Sequence, residues 1–491
     1  MVLATRKQSS QTASVADHTT LPPLPGDAED EARRAEARLR RRILEGAWRQ
    51  DAADRIAEFF PKTTSTRLGR VDLTRNLLRS LVVELSCRYV TPPRRLHDDD
   101  RADEAMAGAL KGSMMWSSGR RLERYTVGLR ESFMRHDYID GVGLQHRVVT
   151  PDLVHATPDP DEPGRPLALI EAREHELGGK VRWLWHSMDR RDGLYRVLLP
   201  HGESRRVEDA EDVTEAIMGD GFDGRLVLVD GEPALPTVLY HAEAGSGHLF
   251  NWRELCEVVD ATLQGSALWS FWGYLVRDGS IPLRALADGI VKGLAPVERS
   301  NATYAQVAYD GTSLLMVGSD GAGGAHALQW DAGADPERMQ LAIQQYLVGC
   351  AQSAGLSPDD FVANGQAESG YAISLKSEAK RREQRAMTPS FSRGDSESLA
   401  YCAALLNRWE SAGLPEDGWA PRYEPVGLTP QERETRLAEA QAGIDGGWRS
   451  LVDAVLAEHP GMSRDEAKAH LDMVRAERAA LAADLMGVGD E

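Results

Sequence analysis

Cysteine is scarce in this 491-residue chain: Cys87, Cys256, Cys350 and Cys402 lie far apart and share no metal-ligand spacing. In a chain long enough for two to four domains with real cores, that pattern predicts reduced, buried thiols in a cytosolic setting, not a disulfide framework. No apolar run approaches the roughly 18–20 residues needed to cross a bilayer. Met1 to Gly26 is rich in Ser, Thr and Gln and lacks the apolar core of a signal peptide, so residues 1–29 are expected to be a disordered tail. Aromatic residues are few, 6% of the chain, yet 11 of them are Trp, which points to a few heavy anchors. Basic charge is also short: 57 Lys and Arg face 76 Asp and Glu, a net charge of −19. Proteins that grip nucleic acid are usually basic, because Lys and Arg displace condensed counterions. The balance argues against tight DNA binding and suits a surface along which DNA slides.

Catalytic signatures are missing too. No phosphate-binding loop ends in Gly-Lys-Ser/Thr, which argues against a translocating ATPase. The glycines Gly318, Gly321, Gly323 and Gly324 lack the following helix and spaced acid of a dinucleotide loop and read as a hairpin tip. The 13 histidines form no His-x-x-x-His pair on a predicted helix, so no metal site is expected. Asp98-Asp99-Asp100 reads as a solvated surface, and Ser246, between Gly245 and Gly247, lacks the strand–elbow–helix setting of a hydrolase serine. No enzyme and no cofactor are expected.

What is present is a succession of elements. Apolar spacing predicts a helix over Asp30–Phe60, and its six arginines (Arg33, Arg34, Arg38, Arg40, Arg41, Arg42) are expected to form a solvated, salt-bridged face. A second helix is predicted over Thr74–Arg88, striped by Leu77, Leu78, Leu81, Val82 and Leu85 and stopped at Pro92-Pro93. A third is predicted over Ala105–Tyr125. From Val142 to Tyr240 short β-type runs alternate with turn signals, predicting a largely antiparallel sheet in which Trp183 and Trp185 pack on one face.

Asn251 and Glu254 have capping-box spacing before a helix to Arg277 that is apolar on several sides. Residues 279–334 form an insert with β runs at Tyr304–Tyr309, Ser313–Val317 and Ala327–Trp330. Asp335 then caps a returning helix with Pro336 at its first position and Met339, Ile343, Leu347 and Cys350 along one face. The most informative stretch follows, residues 369–385: Ser369-Gly370 leads through a short apolar run into a highly charged helical one. Met387-Thr388-Pro389 is expected to kink the chain and Leu399–Trp409 to be amphipathic. Gly413–Gly427 reads as a linker. Capping boxes at Thr429–Glu432 and Ser463–Glu466 mark a polar, Ala-rich, three-helix end.

This order resembles the phage portal proteins, over roughly residues 30–480. The resemblance rests on element order, the aromatic helix ending in Gly279-Ser280-Ile281-Pro282, the run Ser369–Lys376 and the acidic helical tail. It implies an α+β subunit: an α/β wing (30–250), a stem helix (251–278), a clip (279–334), a second stem helix (335–355), a channel loop (356–376), a kinked wing helix (377–412), a linker (413–427) and a helical crown (428–491). It implies a cyclic ring, usually of twelve, at one vertex of a virion capsid assembled in the host cytoplasm. The ring surrounds the channel for double-stranded DNA packaging and ejection. The implied partners are other copies of the chain, the major capsid protein, the terminase large subunit, the head–tail adaptor and DNA held without sequence specificity, with no membrane. Asn364, Gln366, Glu368 and Ser369 would face the channel. Lys376, Lys380, Arg381, Arg382 and Arg385 would make intersubunit salt bridges or approach DNA. The other readings of the residues are a virion scaffold without a channel, or an enzyme whose site the sequence does not display.

Overall fold

The computed structural model describes residues 23–59, 71–93, 95–202, 204–219, 221–243, 247–280, 283–287, 297–299, 302–304, 315–317, 327–330, 335–353, 370–423, 430–458 and 464–487. They form an α+β fold with mostly antiparallel sheets, divided into two units: Met1–Val362 with Lys380–Glu424, and Ala363–Ala379 with Pro425–Glu491.

Caps and glycines set the first helix boundaries. Asp27 caps α1 (Ala28–Glu45) by accepting from the Asp30 amide at 2.9 Å, and three acids in the first turn suit the helix dipole. Residues 23–29 are therefore not a tail: Leu24 is fully buried beside Trp185, whose indole N–H donates to the Pro23 carbonyl at 2.6 Å. Gly46 ends α1 in the left-handed region (φ 81°), so the single helix expected over Asp30–Phe60 is two, the second being α2 (Arg49–Phe59). Asn76 caps α3 (Leu77–Leu85), which buries all five stripe residues at roughly 1.5–3 kcal/mol each. After β1 (Arg95–His97), the helix expected over Ala105–Tyr125 is also two. Asp99 caps α4 (Asp100–Lys111), and α5 (Met115–Leu129) starts after Met114, which holds φ 61°.

Ten strands follow: β2 (Glu131–Ile139), β3 (Gly143–Val149), β4 (Val154–Pro158), β5 (Pro166–Leu177), β6 (Lys180–Asp189), β7 (Leu194–Leu199), β8 (Glu211–Asp212), β9 (Val227–Val229), β10 (Glu232–Ala234) and β11 (Thr237–His241), with α6 (Thr214–Met218) after β8. They build a three-stranded sheet β11–β2–β3, a five-stranded sheet β4–β5–β6–β7–β8 and a β9–β10 hairpin, all antiparallel. Phe133 and Val149 of the first sheet and Leu169, Leu184 and Val197 of the second share one core. Trp185 of β6 is fully buried, as packing of the tryptophan pair requires.

The next helix, α7 (Cys256–Ser280), starts later than the Asn251/Glu254 spacing suggests. Glu254 turns instead to the Arg130 guanidinium at 2.7 Å, and the Asn251 amide donates to Glu131. Hydroxyls at Thr262, Ser266 and Ser270 run along α7 at one-turn spacing and hold the first turn of α3 and the segment before it. Thr262 Oγ1 accepts from the Leu78 amide at 3.1 Å, Ser266 donates to the Asp72 carbonyl, and Ser270 Oγ accepts from the Asp72 amide at 2.9 Å. Burial on several sides holds from Val258 to Ala267; Leu268 to Leu275 are mostly half-buried.

Between α7 and α8 (Pro336–Ser353) lie β12 (Leu283–Ala287), β13 (Val297–Arg299), β14 (Ala302–Tyr304), β15 (Leu315–Val317) and β16 (Ala327–Trp330). β12 pairs in parallel with β15 and antiparallel with β16, and β13–β14 is a hairpin. The glycine tip Gly318–Gly324 lies outside the described residues. Asp335 caps α8 as expected, its Oδ1 accepting from the Glu337 amide at 3.0 Å. Trp272 donates to the Pro336 carbonyl at 3.0 Å, whereas a Cβ on Gly265 would lie 2.9 Å from Leu347, so α7 and α8 run antiparallel and close.

α9 (Gly370–Glu410) is one 41-residue helix. It begins within the segment expected to be channel loop and contains Pro389, the expected kink point. Leu399 and the consecutive residues Tyr401 to Leu406 are all buried, so this end is not amphipathic. It packs among Tyr138 and Leu144 of the sheet, Met106 and Leu110 of α4, and Trp419. That tryptophan begins β17 (Trp419–Arg422), which pairs with β1 inside the expected linker.

The second unit holds α10 (Pro430–Asp445), α11 (Leu451–Glu458) and α12 (Arg464–Gly487). Ser450 and Asp453 form a reciprocal capping box before α11, each amide donating to the other's side chain at 3.1 Å. Thr429 and Ser463 fall outside the described residues. Among the described residues no helix is long and apolar enough to cross a membrane.

Candidate functional site

The charged helix read from the sequence is positioned by its inner face. Gln384, Met387, Phe391, Asp395, Ser398 and Cys402 recur at three- and four-residue steps along α9 and are all buried. Pro389 has no N–H for the Arg385 carbonyl. One residue earlier the Gln384 carbonyl is met by Arg88 Nη2 and by the Thr388 hydroxyl at 3.1 Å. The Arg88 guanidinium lies 4.6 Å from the centre of the Phe391 ring and 3.5 Å from buried Glu123. Gly394 admits Tyr240, since a Cβ there would lie 2.6 Å from the ring.

Asp395 sits at the centre of this packing. Its carboxylate accepts from Tyr89 at 2.8 Å, Tyr240 at 3.0 Å and Tyr423. Burial pushes its pKa up to about 6, against the opposing pull of these hydroxyls and of Arg88. Tyrosines from the segments before α4, in β11 and after β17 thus converge on one acid of the helix.

A second charged cluster ties the two sheets together. Arg135 of β2, fully buried, donates to Glu171 of β5 at 2.9 Å and to the Tyr195 hydroxyl at 2.8 Å, and pairs with Asp137 at 3.1 Å. Burial raises the Glu171 pKa, but Arg147, Arg135 and Arg173 outweigh it and hold the carboxyl at about 2.

The arginine face of α1 is a correction. It is salt-bridged but not solvated: Arg33, Arg34, Arg38 and Arg40 are buried. Arg33 pairs with Asp30 at 2.6 Å and donates to the Pro151 and Val154 carbonyls at 3.0 and 2.7 Å. Arg40 donates to the Trp252 and Glu254 carbonyls at 2.8 and 2.7 Å. Arg41 pairs with buried Asp152 at 3.0 Å. These arginines clamp α1 to the sheet and to the approach to α7. The acids Asp98, Asp99 and Asp100 are exposed, as expected.

Of the residues expected at the channel, Asn364, Gln366, Glu368 and Ser369 lie outside the described residues. Lys376 falls in the first turns of α9, with its side chain outside the description. Lys380, on the row that continues to Gln384 and Met387, pairs with Glu84 at 2.7 Å within the same chain. Arg381 is half-buried, and Arg382 and Arg385 are exposed. The sequence reading missed Glu84 and Asp395, which anchor this helix; neither carries a local signal.

No family model and no curated protein matches the chain. Among solved structures it is similar to a chain of the neck of an empty gene transfer agent particle computed with C6 symmetry, at 14% identity and a TM-score of 0.40, covering 79% of this chain and 90% of that one. It is also similar to a chain of the native particle's virion (14%, TM-score 0.37, 79% and 89%) and of the native neck computed with C12 symmetry (12%, 0.40, 81% and 93%). All three come from gene transfer agent particles.

Proposed function

We propose that this chain is a portal-type subunit, closing with its copies into a ring at a capsid vertex and surrounding the passage for double-stranded DNA. The observation that carries the proposal is the antiparallel pair α7–α8 bracketing a β insert, followed by one long helix with a basic first half. That is the order of stem, clip, stem and wing helix. A ring subunit must bury surface on both flanks through heterologous contacts, and the half-buried aromatic stretch from Leu268 to Leu275 supplies apolar area for a neighbour. In this role residues 279–334 dock the terminase large subunit and then the head–tail adaptor, while the body of the chain meets the capsid protein.

The channel lining falls to residues 356–369, with Asn364, Gln366, Glu368 and Ser369 offering polar, weakly charged contacts. The net charge of −19 favours passage of DNA over retention. Lys380 pairs with Glu84 inside the subunit, and in this role the basic run of Lys376, Arg381, Arg382 and Arg385 contributes to contacts with a neighbouring subunit or DNA.

Deleting residues 363–372 tests this reading. Particles carrying the deletion are expected to contain rings and to package DNA only at background level, measured as nuclease-protected DNA per particle. Normal packaging by the deleted protein would refute the channel assignment, and loss of ring assembly would make the segment structural.

A further inference from the structure

We propose that His136, His146 and Cys402 form a binding site for a borderline-soft divalent metal ion, zinc foremost, that fastens α9 to the β2–β3 sheet. His136 and His146 are direct cross-strand partners on β2 and β3, so their side chains leave the same face of the sheet. Cys402 meets them from the inner row of α9. The two Nδ1 atoms are 2.8 Å apart, the Cys402 sulfur is 3.7 Å from His136 Nδ1, and one ligand atom from each residue lies within 4.8 Å of the others. His136 and Cys402 are buried and His146 is half-buried.

A zinc ion bound at about 2.0–2.1 Å to nitrogen and 2.3 Å to sulfur holds tetrahedral ligands roughly 3.3–3.6 Å apart. The spacing of the Cys402 sulfur from His136 Nδ1 already fits, the imidazoles need part by about half an ångström, and the Cys402 sulfur and His146, within 4.8 Å, close on the ion by small side-chain shifts. Neither Nε2 has a hydrogen-bond partner among the described residues. With both rings carrying their proton on Nε2, both Nδ1 lone pairs turn inward, and the metal–nitrogen bonds offset the cost of two buried N–H groups without an acceptor. Two imidazoles and a thiolate suit zinc over the hard cations magnesium and calcium. Binding forms two metal–nitrogen bonds and one metal–sulfur bond, and the thiol proton leaves to solvent, so one proton is released per ion. Three protein ligands leave one tetrahedral position for water. The ion bridges positions 266 residues apart, giving a cross-link that disfavours the unfolded chain by mass action.

The full chain, stripped with a chelator and re-equilibrated with zinc, tests the site by elemental analysis and thermal melting. About one zinc per chain is expected, together with a rise in melting temperature over the chelated protein. Cobalt in place of zinc should produce a thiolate-to-metal charge-transfer band in the near ultraviolet. C402A and H146A should lose the stoichiometric metal, the cobalt band and the zinc-dependent rise, while melting near the chelated wild type. A wild type that takes up no more zinc than C402A, or whose cobalt spectrum lacks the band, overturns the proposal even if a variant fails to fold.

Discussion

Glu171→Ala is expected to lower the unfolding free energy by about 3–5 kcal/mol. Glu171 is completely buried, and its two oxygens face the guanidinia of Arg135 and Arg147, with Arg173 at 3.7 Å. Removing the carboxylate leaves converging positive charge, part of it on Arg135, which is itself without exposure and retains Asp137 as a close counter-ion. The loss falls on the junction of the two sheets, because Arg135 belongs to β2 and Glu171 to β5. The midpoint of urea unfolding reads it directly, and Glu208→Ala, which removes an exposed acid beside exposed Arg206, serves as the unaffected control. The folded pKa near 2 lies below the ordinary 4.5, so the contribution of this carboxylate is full above pH 4.5 and is lost as pH falls through about 2. An alanine variant as stable as the wild type would show that the cluster carries no net stabilisation.

Asp395 predicts the opposite dependence. Burial raises its folded pKa to about 6 from an ordinary 3.8, so between these values the folded state holds a proton that the unfolded chain releases. Stability from this group therefore declines as pH rises from about 4 to about 6 and stays reduced above it. Asp395→Asn keeps an oxygen to accept from the tyrosines and removes the titration. The stability of wild type minus variant is expected to be about 2 kcal/mol more favourable at pH 4 than at pH 7. Urea unfolding of both proteins at the two pH values checks it. A difference that does not change with pH would place the Asp395 titration outside this window.

The two carboxylates also show where the sequence stops being readable. Local pattern carries the striped helix α3, the Asp335-Pro336 start of α8 and most strands between Val142 and Tyr240, because period and caps lie within a few residues of each other. β2 escapes it: Arg135, His136 and Asp137 interrupt the apolar residues of a strand that is almost wholly buried, and their charge is tolerated only because Glu171, Tyr195 and each other are near. The arginines of α1 mislead for the same reason, since the carbonyls that receive Arg33 and Arg40 come from more than a hundred residues away. Asn251 and Glu254 have the spacing of a cap, yet Glu131 and Arg130 take their groups first. The His136–His146–Cys402 cluster has no sequence spacing at all, because strand register and one helix face assemble it.

The central claim is closure of copies of this chain into a ring, and negative-stain electron microscopy of the purified full-length protein, with single-particle mass measurement beside it, tests it most directly. The predicted result is rings with a central hole and a mass near that of about twelve subunits. Monomers, dimers or compact particles without a hole at every protein concentration would contradict it.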